Sequence, residues 1–541
     1  MSRSVSAPSP FASSLRTCAL LLGAALLLAG CRGRMGNRGE DAGTRLDAAA
    51  RPDGGALPGD GGASRDAAPD VDGGPAPLDA GPSTPDAGPP PGDLVPDLRV
   101  DAVAAFQTVR IPLVEAGAPV VTASRNAPLI AGRDTLFRVY PTPEAGWRAR
   151  PVRAVIELDG ARFTAEGTPA LPLADTAAGT PLDVRVPGSA ITAEASFRVR
   201  LEEVDGSGVA SGPAAWPASG AAALDARDAG VMEVVLVPFR YDTDGSGRLP
   251  ATDAAQLALY ARELTTRFPY AEVDIRVHAI VPWSRGTRFN GNVDWGDVNA
   301  ELIDLRDAEG APEHEYWYGV MAPHESRSSY CASTFGTCVT GQSYVSTLRG
   351  TRVGSGVGFA GEASAGTLAH ELGHQHGRYH SPCGTSGTDA DYPYASGVIG
   401  VWGWDPASGA FYAPDTGTDI MGYCDEQWVS DYTYAAFFQR AVDLRGAYAL
   451  RAPAPLAGPV RFLHLGPGEH RWSAPRELRR LPGAPRPALW LDARGRPLGV
   501  VEAGYLEEAH GGGRVWVLPA EAPFPAVSVQ VGDAVIPLGP R

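Results

Sequence analysis

Alternating apolar and polar positions mark two stretches of the chain as strand-rich. Over 101–228, runs such as VRAVIELDG and ASFRVRLEEVDGSG alternate for a few residues and then end in turn residues, which is typical of antiparallel strands. The pattern returns over 451–541, in ALWLDARG and RVWVLPA. Each stretch is therefore predicted to form a β-sandwich-like domain.

The segment between them, 229–450, mixes buried-type strands with helices. VMEVVLVPFRY is apolar over most of its length, as strands covered on both faces are, and a helix is predicted after it over Asp253–Phe268. WYGVMAP predicts another strand, and a second helix is predicted over Asp431–Arg445. The pattern indicates a multidomain protein whose central α/β (α+β) domain is flanked by two β-domains.

The N-terminal region has a different character. The apolar run from Cys18 to Leu28 is too short for a bilayer-spanning helix, which needs about 20 residues. It leads into LAGC, ending at Cys31, which resembles a bacterial lipobox. That resemblance implies a signal peptide over 1–30, a lipid on Cys31, and an outer-membrane or cell-surface location. The alternative is an ordinary cleaved signal peptide and a secreted protein. The segment 31–100 is rich in Asp, Ala, Gly and Pro and is predicted to be a disordered tether.

The overall charge limits the class of partner. The formal net charge is −16, with 62 acidic against 46 basic residues. Phosphate binding needs a basic surface, so we expect no nucleic-acid partner.

Four cysteines follow the N-terminal region, and their even number in an exported chain favours disulfides. Cys331 and Cys338 close a short loop and form the natural local pair, which leaves Cys383 with Cys424. A zinc site built from these four is the alternative, but no Cys-x-x-Cys spacing supports it.

The candidate chemistry is concentrated in HELGHQHGRYH, which begins at His370. A helix advances about 100° per residue, so His370 and His374 share one face and can chelate one ion. His376 is turned away from that ion. Gly377 lets the helix stop, so that His380 can return as a third ligand. Three imidazoles leave the fourth position of a tetrahedral zinc ion open, which is the catalytic arrangement.

This stretch matches the His-Glu-x-x-His-x-x-Gly-x-x-His motif and is similar to that of the metzincin metallopeptidases. The resemblance implies that Glu371 activates a zinc-bound water and then protonates the leaving amine. It also implies a structural Met-turn, which Met421 supplies in DIMGYC. Tyr423 is implied to reach the zinc or the developing oxyanion, with a packing tyrosine as the alternative. A Cys383–Cys424 bridge would link the loop after the motif to the Met-turn. The motif does not assign the chain to one metzincin subfamily.

Together these features predict a zinc-dependent endopeptidase that acts on extracellular or envelope proteins or glycoproteins. The peptide is expected to lie along an edge strand before the helix, in the GSGVGFAG stretch. The alternative is a noncatalytic lipoprotein that binds a surface glycan or protein and has a vestigial zinc domain, but the intact Glu371 favours the enzyme. The scattered His464, His470 and His510 are expected to be surface or packing residues.

A second metal site is a weaker candidate. Asp242, Asp244, Ser246 and Asp253 occupy positions 1, 3, 5 and 12 of a stretch that resembles a calcium loop. Asp253 replaces the usual Glu of such loops. A polar turn leading into the next helix is the alternative for the same residues.

Overall fold

The computed structural model describes residues 92–173, 175, 182–288, 290–346, 351–385, 387–447, 456, 458–466, 468–510 and 513–538. The chain divides into Met1–Ala80 and a compact unit, Gly81–Arg541. The predicted signal peptide, Cys31 and nearly all of the predicted tether lie outside the described residues. Among the described residues, no helix is both long and apolar enough to cross a bilayer.

The described N-terminal part is built from antiparallel strands. In chain order they are β1 (Leu98–Glu115), β2 (Ala118–Pro119), β3 (Thr135–Pro143), β4 (Val152–Leu158), β5 (Ala161–Gly167), β6 (Asp183–Val186), β7 (Ser196–Glu203), β8 (Ala215–Trp216) and β9 (Ala222–Ala223). One sheet contains β1, β3 and β6, and the other has the order β5-β4-β7-β8. The two sheets share a core, in which the rings of Phe137 and Phe197 lie 6.4 Å apart. The β-rich character predicted for this segment is confirmed.

The central part alternates strands and helices. Its first elements are β10 (Val231–Tyr241), α1 (Ala254–Arg267), β11 (Glu272–Val277), β12 (Val281–Trp283), α2 (Trp295–Ala308), β13 (Tyr316–Met321), α3 (Arg327–Ser333), β14 (Gly341–Ser343), β15 (Val353–Val357) and α4 (Glu362–Gln375). They are followed by β16 (Gly403–Trp404), β17 (Phe411–Tyr412), β18 (Thr418–Asp419), β19 (Gln427–Trp428) and α5 (Asp431–Ala447). Both predicted helices, α1 and α5, are present.

One sheet of this central part positions the site. Its strand order is β11-β10-β13-β15-β14, with neighbours parallel except at β14, which runs antiparallel to β15 and forms the edge. Every residue of β13 is buried, as its continuous apolar pattern predicts. Helix α4 packs against β15 and β14, so its buried face lies under the sheet edge.

The last part is a single antiparallel sheet of seven strands. These are β20 (Val460–Gly466), β21 (Glu469–Trp472), β22 (Ala484–Leu491), β23 (Pro497–Glu507), β24 (Arg514–Pro519), β25 (Ser528–Val531) and β26 (Ala534–Pro537), in the order β21-β20-β24-β23-β22-β25-β26. Strands β23 and β24 form a hairpin, which is closed by a hydrogen bond from Glu508 N to Gly513 O of 2.9 Å. The β-rich character predicted for this segment is also confirmed.

The C-terminal sheet packs against the central part through a shared apolar core. Phe462, Leu506 and Val517 belong to the same buried cluster as Trp295 and Tyr344. Arg471 adds an ion pair to Asp297 on α2, at 2.8 Å. The β23–β24 hairpin is therefore held beside the β11-β10-β13-β15-β14 sheet, and His510 at its end contacts α4.

Candidate metal centre

Helix α4 carries the first two histidines of the motif on one buried face, one turn apart. Their Nε2 atoms lie 3.1 Å apart. His370 Nδ1 lies 2.7 Å from Ile420 O, and His374 Nδ1 lies 2.6 Å from Arg378 O. A carbonyl oxygen can only accept, so both Nδ1 atoms carry the proton and both Nε2 lone pairs face the same point.

Burial keeps these two rings neutral. Removal from water lowers the pKa of His370 and lowers that of His374 well below its ordinary value, and the neighbouring histidines lower the pKa of His374 further. Two neutral rings that present unprotonated Nε2 atoms to each other cannot hydrogen-bond together. A cation between them would satisfy both, and on a tetrahedral zinc ion with bonds near 2.0–2.1 Å the nitrogens would stand about 3.4 Å apart.

The helix stops where the sequence predicts. Its last residue is Gln375, and Gly377 follows with φ +85°, a left-handed conformation that glycine adopts without strain. A side chain at Gly377 would also collide with the Arg440 guanidinium. The chain turns back at this point and places the His380 ring 4.7 Å from the His374 ring and 5.4 Å from the His370 ring, between centroids. The three predicted ligands are thus brought together.

His376 is confirmed as the histidine that points away. Its ring stacks on Tyr316 at 4.4 Å, its Nδ1 lies 2.7 Å from Leu372 O, and its Nε2 lies 3.1 Å from the hydroxyl of Tyr270. Burial lowers the pKa of His376 to about 3. This residue is a neutral part of the core beneath α4.

The Met-turn lies directly below the helix. Met421 is buried, and its sulfur fills the space that a side chain at position 373 would need, which explains Gly373. The turn is fixed by the buried carboxylate of Asp419, which accepts from Met421 N at 2.9 Å and from Ser430 N at 2.9 Å. Asp419 was not singled out from the sequence, although an Asp two residues before a turn amide is a signal for such a bond.

Both predicted disulfides are present. Cys331 pairs with Cys338, and Cys383 pairs with Cys424 across a sequence separation of 41. A further backbone bond, from Ser381 N to Met421 O at 3.0 Å, lies close to the second bridge. The loop after the third ligand is therefore stapled to the Met-turn.

Glu371 lies between the ligands and the edge strand. Its side chain is buried, and its Oε2 has no hydrogen-bond partner among the described residues. A Cβ added to Gly341 on β14 would come within 2.7 Å of Glu371 Oε1, so the strand passes directly over this carboxylate. Gly341 was missed from the sequence because a glycine in so short a strand gives no pattern.

Tyr423 stands at the opening of the site and is about half exposed, at 48 %. Its hydroxyl lies 3.2 Å from His380 Nε2. Desolvation of the hydroxyl and the nearby Glu371 carboxylate raise the pKa of Tyr423, so the hydroxyl stays protonated at neutral pH and can donate.

The expectation that His510 is a surface or packing residue is wrong. Its side chain enters the site from the tip of the β23–β24 hairpin, and its Nε2 lies 3.0 Å from Glu371 Oε1. Its Nδ1 contacts the Tyr423 hydroxyl. Candidate ligand atoms of His370, His374, His380 and His510 all lie within 4.8 Å of one another. An all-imidazole set of this kind, with three buried members and a partly buried His510, can bind a transition metal and suits zinc.

The contacts of the candidate calcium loop fit the polar-turn alternative. Asp242 accepts from Arg240 at 2.9 Å, and Asp244 pairs with Arg248. Asp253 caps α1 by accepting from Ala255 N at 3.0 Å. These carboxylates already have partners, and in the described part of the chain the histidine set is the group found able to hold a metal.

One comparison with known proteins covers the region that holds this centre. The family model Peptidase M66 matches residues 297–431, from α2 to the first residue of α5. The matched region includes the three histidines of the motif, Glu371, Met421 and Tyr423, and it ends before the C-terminal sheet. No curated protein matches the chain. The match supports a peptidase.

Proposed function

We propose that the protein is a zinc-dependent endopeptidase with a metzincin-type centre. The observation that carries the proposal is the position of Glu371 beside converging imidazole lone pairs. Its carboxylate is buried, and its Oε2 lacks a hydrogen-bond partner among the described residues. His370, His374 and His380 would hold the ion. When bound there, zinc supplies Lewis-acid polarisation of the scissile carbonyl and acidifies the attacking water.

The protein's own residues then divide the remaining work. Glu371 takes the proton of the attacking water and delivers it to the leaving amine nitrogen, which its position beside the metal ligands allows. The protonated hydroxyl of Tyr423, at the mouth of the site, donates to the oxyanion that develops on the carbonyl. The backbone carbonyls of Ile420 and Arg378 keep the ligand rings oriented throughout.

The substrate is proposed to lie along β14, antiparallel to it, as an added strand. This corrects the expected location in GSGVGFAG, because the first four residues of that stretch belong to β15, which is flanked by β13 on one side and β14 on the other. Strand β14 is the edge and passes over Glu371. A peptide added there would place its backbone beside the base.

The proposed location is the cell envelope, reached through a lipid on Cys31, and it rests on the sequence alone. Proteins or glycoproteins of that compartment are the proposed substrates. Incorporation of labelled palmitate into the protein would support the anchor, and its absence would count against it.

The catalytic proposal is tested with Glu371→Gln, which keeps the size of the side chain and removes its basicity. We expect zinc content near that of the wild type and a loss of about 10²–10⁴-fold in peptide-bond cleavage. Zinc is measured by mass spectrometry and cleavage by the appearance of new N-termini in a mixture of envelope-type glycoproteins.

The matched control is Glu362→Gln, an exposed carboxylate in the first turn of the same helix, which should leave both quantities unchanged. Wild-type turnover by a zinc-loaded Glu371→Gln protein would refute the mechanism.

A further inference from the structure

We propose that His510 is a fourth metal ligand and that the β23–β24 hairpin is an autoinhibitory latch that holds the enzyme in a closed form. The inference rests on the proposed function, since it concerns the regulation of that same centre. A zinc ion with four protein ligands is the closed, structural arrangement, whereas catalysis needs one position open to water.

The first argument is distance. The His510 ring lies 5.7, 5.3 and 4.9 Å from the rings of His370, His374 and His380, between centroids. The three motif rings lie 4.7–5.4 Å from one another. His510 is thus about as close to the motif ligands as they are to each other.

The second argument is the way in which the hairpin is attached. Val345 N donates to Glu507 O at 3.0 Å, and Ala509 N donates to Ser343 O at 3.0 Å. These bonds flank an antiparallel bridge between Tyr344 and Glu508, directly after β14. The hairpin therefore extends the sheet that contains β14, along the edge at which a substrate peptide would add a strand.

The third argument is what His510 does to the catalytic groups. Its ring contacts both Glu371 Oε1 and the Tyr423 hydroxyl, the two groups assigned to proton transfer and oxyanion binding. An imidazole in this position also fills the space beside Glu371 that the attacking water needs. In the arrangement seen here the ring occupies both the base and the oxyanion donor. As a ligand, His510 would bind the ion through Nδ1 in place of its contact with the Tyr423 hydroxyl, while its Nε2–H would still donate to Glu371.

The fourth argument is that the strands of the hairpin are anchored in a buried core, whereas its tip is held by contacts at the sheet edge. Its strands belong to the C-terminal sheet, where Leu506, Val515 and Val517 are buried in the core shared with the central part. Among the described residues, the tip makes the two backbone bonds above, the contacts of His510 with Glu371 and Tyr423, and a bond from Tyr379 to Glu507 at 3.1 Å. A competing peptide strand could replace the two backbone bonds.

The test uses the full-length protein loaded with Co²⁺, whose visible spectrum reports the number and type of ligands. In the wild type we expect a four-coordinate spectrum that azide or a hydroxamate changes little. In His510→Ala we expect a changed spectrum. Azide or the hydroxamate should bind at least 10-fold more tightly, because the coordination position of His510 is then open. The Co²⁺ dissociation constant should rise by about 10-fold or more.

Activity gives the second readout. Cleavage by zinc-loaded His510→Ala should be at least 10-fold faster than by the wild type. The substitution frees Glu371 to act as the base and at the same time opens the fourth coordination position of the metal. Ala509→Pro removes the amide that bonds Ser343 O while leaving the site residues in place, so it should change both readouts in the same direction. It also serves if His510→Ala fails to fold. The matched control is His470→Ala, an exposed histidine of the same sheet, which should behave as the wild type.

Two results would overturn the latch. One is a wild-type Co²⁺ spectrum and azide affinity equal to those of folded His510→Ala, and the other is slower cleavage by that variant with metal retained. Failure of the proposed function looks different. In that case none of the zinc-loaded proteins cleaves any peptide bond, yet the Co²⁺ spectra still decide whether His510 is a ligand.

Discussion

The candidate metal centre has two parts, a floor and a roof, that are built in opposite ways. The floor consists of α4, the His380 turn and the Met-turn, all within 362–424. Its three motif rings are buried, and backbone carbonyls fix those of His370 and His374. The roof is the hairpin tip with His510, which is only partly buried and hydrogen-bonds to residues far away in the chain. The comparison separates the three proposed ligands that are fixed within one short segment from the proposed fourth ligand, whose hairpin would control access to the site.

The floor should account for the larger part of the metal affinity. His374→Ala removes a buried side chain that is proposed to bind zinc directly. We expect the zinc dissociation constant to rise by more than about 100-fold, since the loss of a residue that only supports a ligand already costs about 10- to 100-fold. Competition with a chelator of known affinity measures it.

His376→Phe is the matched control, because this ring belongs to the core and not to the ligand set. It should keep zinc affinity near the wild-type value while lowering the free energy of unfolding by about 1–3 kcal/mol, since the Tyr270 hydroxyl loses its partner. A large loss of zinc in His376→Phe would show that the floor is not limited to the three motif histidines.

The second expected effect concerns the staple within the floor. Replacing Cys383 and Cys424 with Ser opens a loop with a sequence separation of 41, and chain entropy gives a cost of about 4 kcal/mol in the free energy of unfolding. Replacing Cys331 and Cys338 opens a loop with a separation of 7, and the same relation gives about 2.5 kcal/mol.

Urea denaturation of the two double variants, without reductant, measures the difference. Equal costs would mean that the Cys383–Cys424 bridge does not act by closing its longer loop.

The same contrast explains what the sequence could predict. The floor can be predicted from the sequence because its signals are local. They are histidines one helical turn apart, a glycine where the helix must end, and a methionine in a short turn. Glu371 and the ligands His370, His374 and His380 follow from that spacing, and the structure brings them together. The two disulfides followed from the even cysteine count and the short Cys331–Cys338 spacing.

The roof could not be predicted in this way. His510 lies 139 positions after Glu371, and no periodicity connects them, because their contact depends on how the C-terminal sheet packs on α2 and β14. Strand β14 has three residues, Gly-Gln-Ser, too few to show alternation, so the edge was assigned to the neighbouring GSGVGFAG. The one local signal was the glycine run after His510, which is typical of a tight hairpin tip.

The smallest expected effect concerns the roof alone. Tyr379→Phe removes the hydroxyl that donates to Glu507 Oε2 and leaves the backbone bonds of the hairpin in place. Because Tyr379 is 40 % exposed, the lost bond should be worth at most about 1 kcal/mol, so exchange of the Ala509 amide hydrogen should become only about 2- to 5-fold faster.

Hydrogen exchange followed by mass spectrometry on the peptide that contains 507–510 measures this rate, with a peptide from β13 as the internal reference. A much larger acceleration would mean that this one side-chain bond keeps the hairpin in position. The modest change expected here would mean that the hairpin is kept in position by its strand pairing with the edge after β14. That pairing is the contact that an incoming peptide must replace.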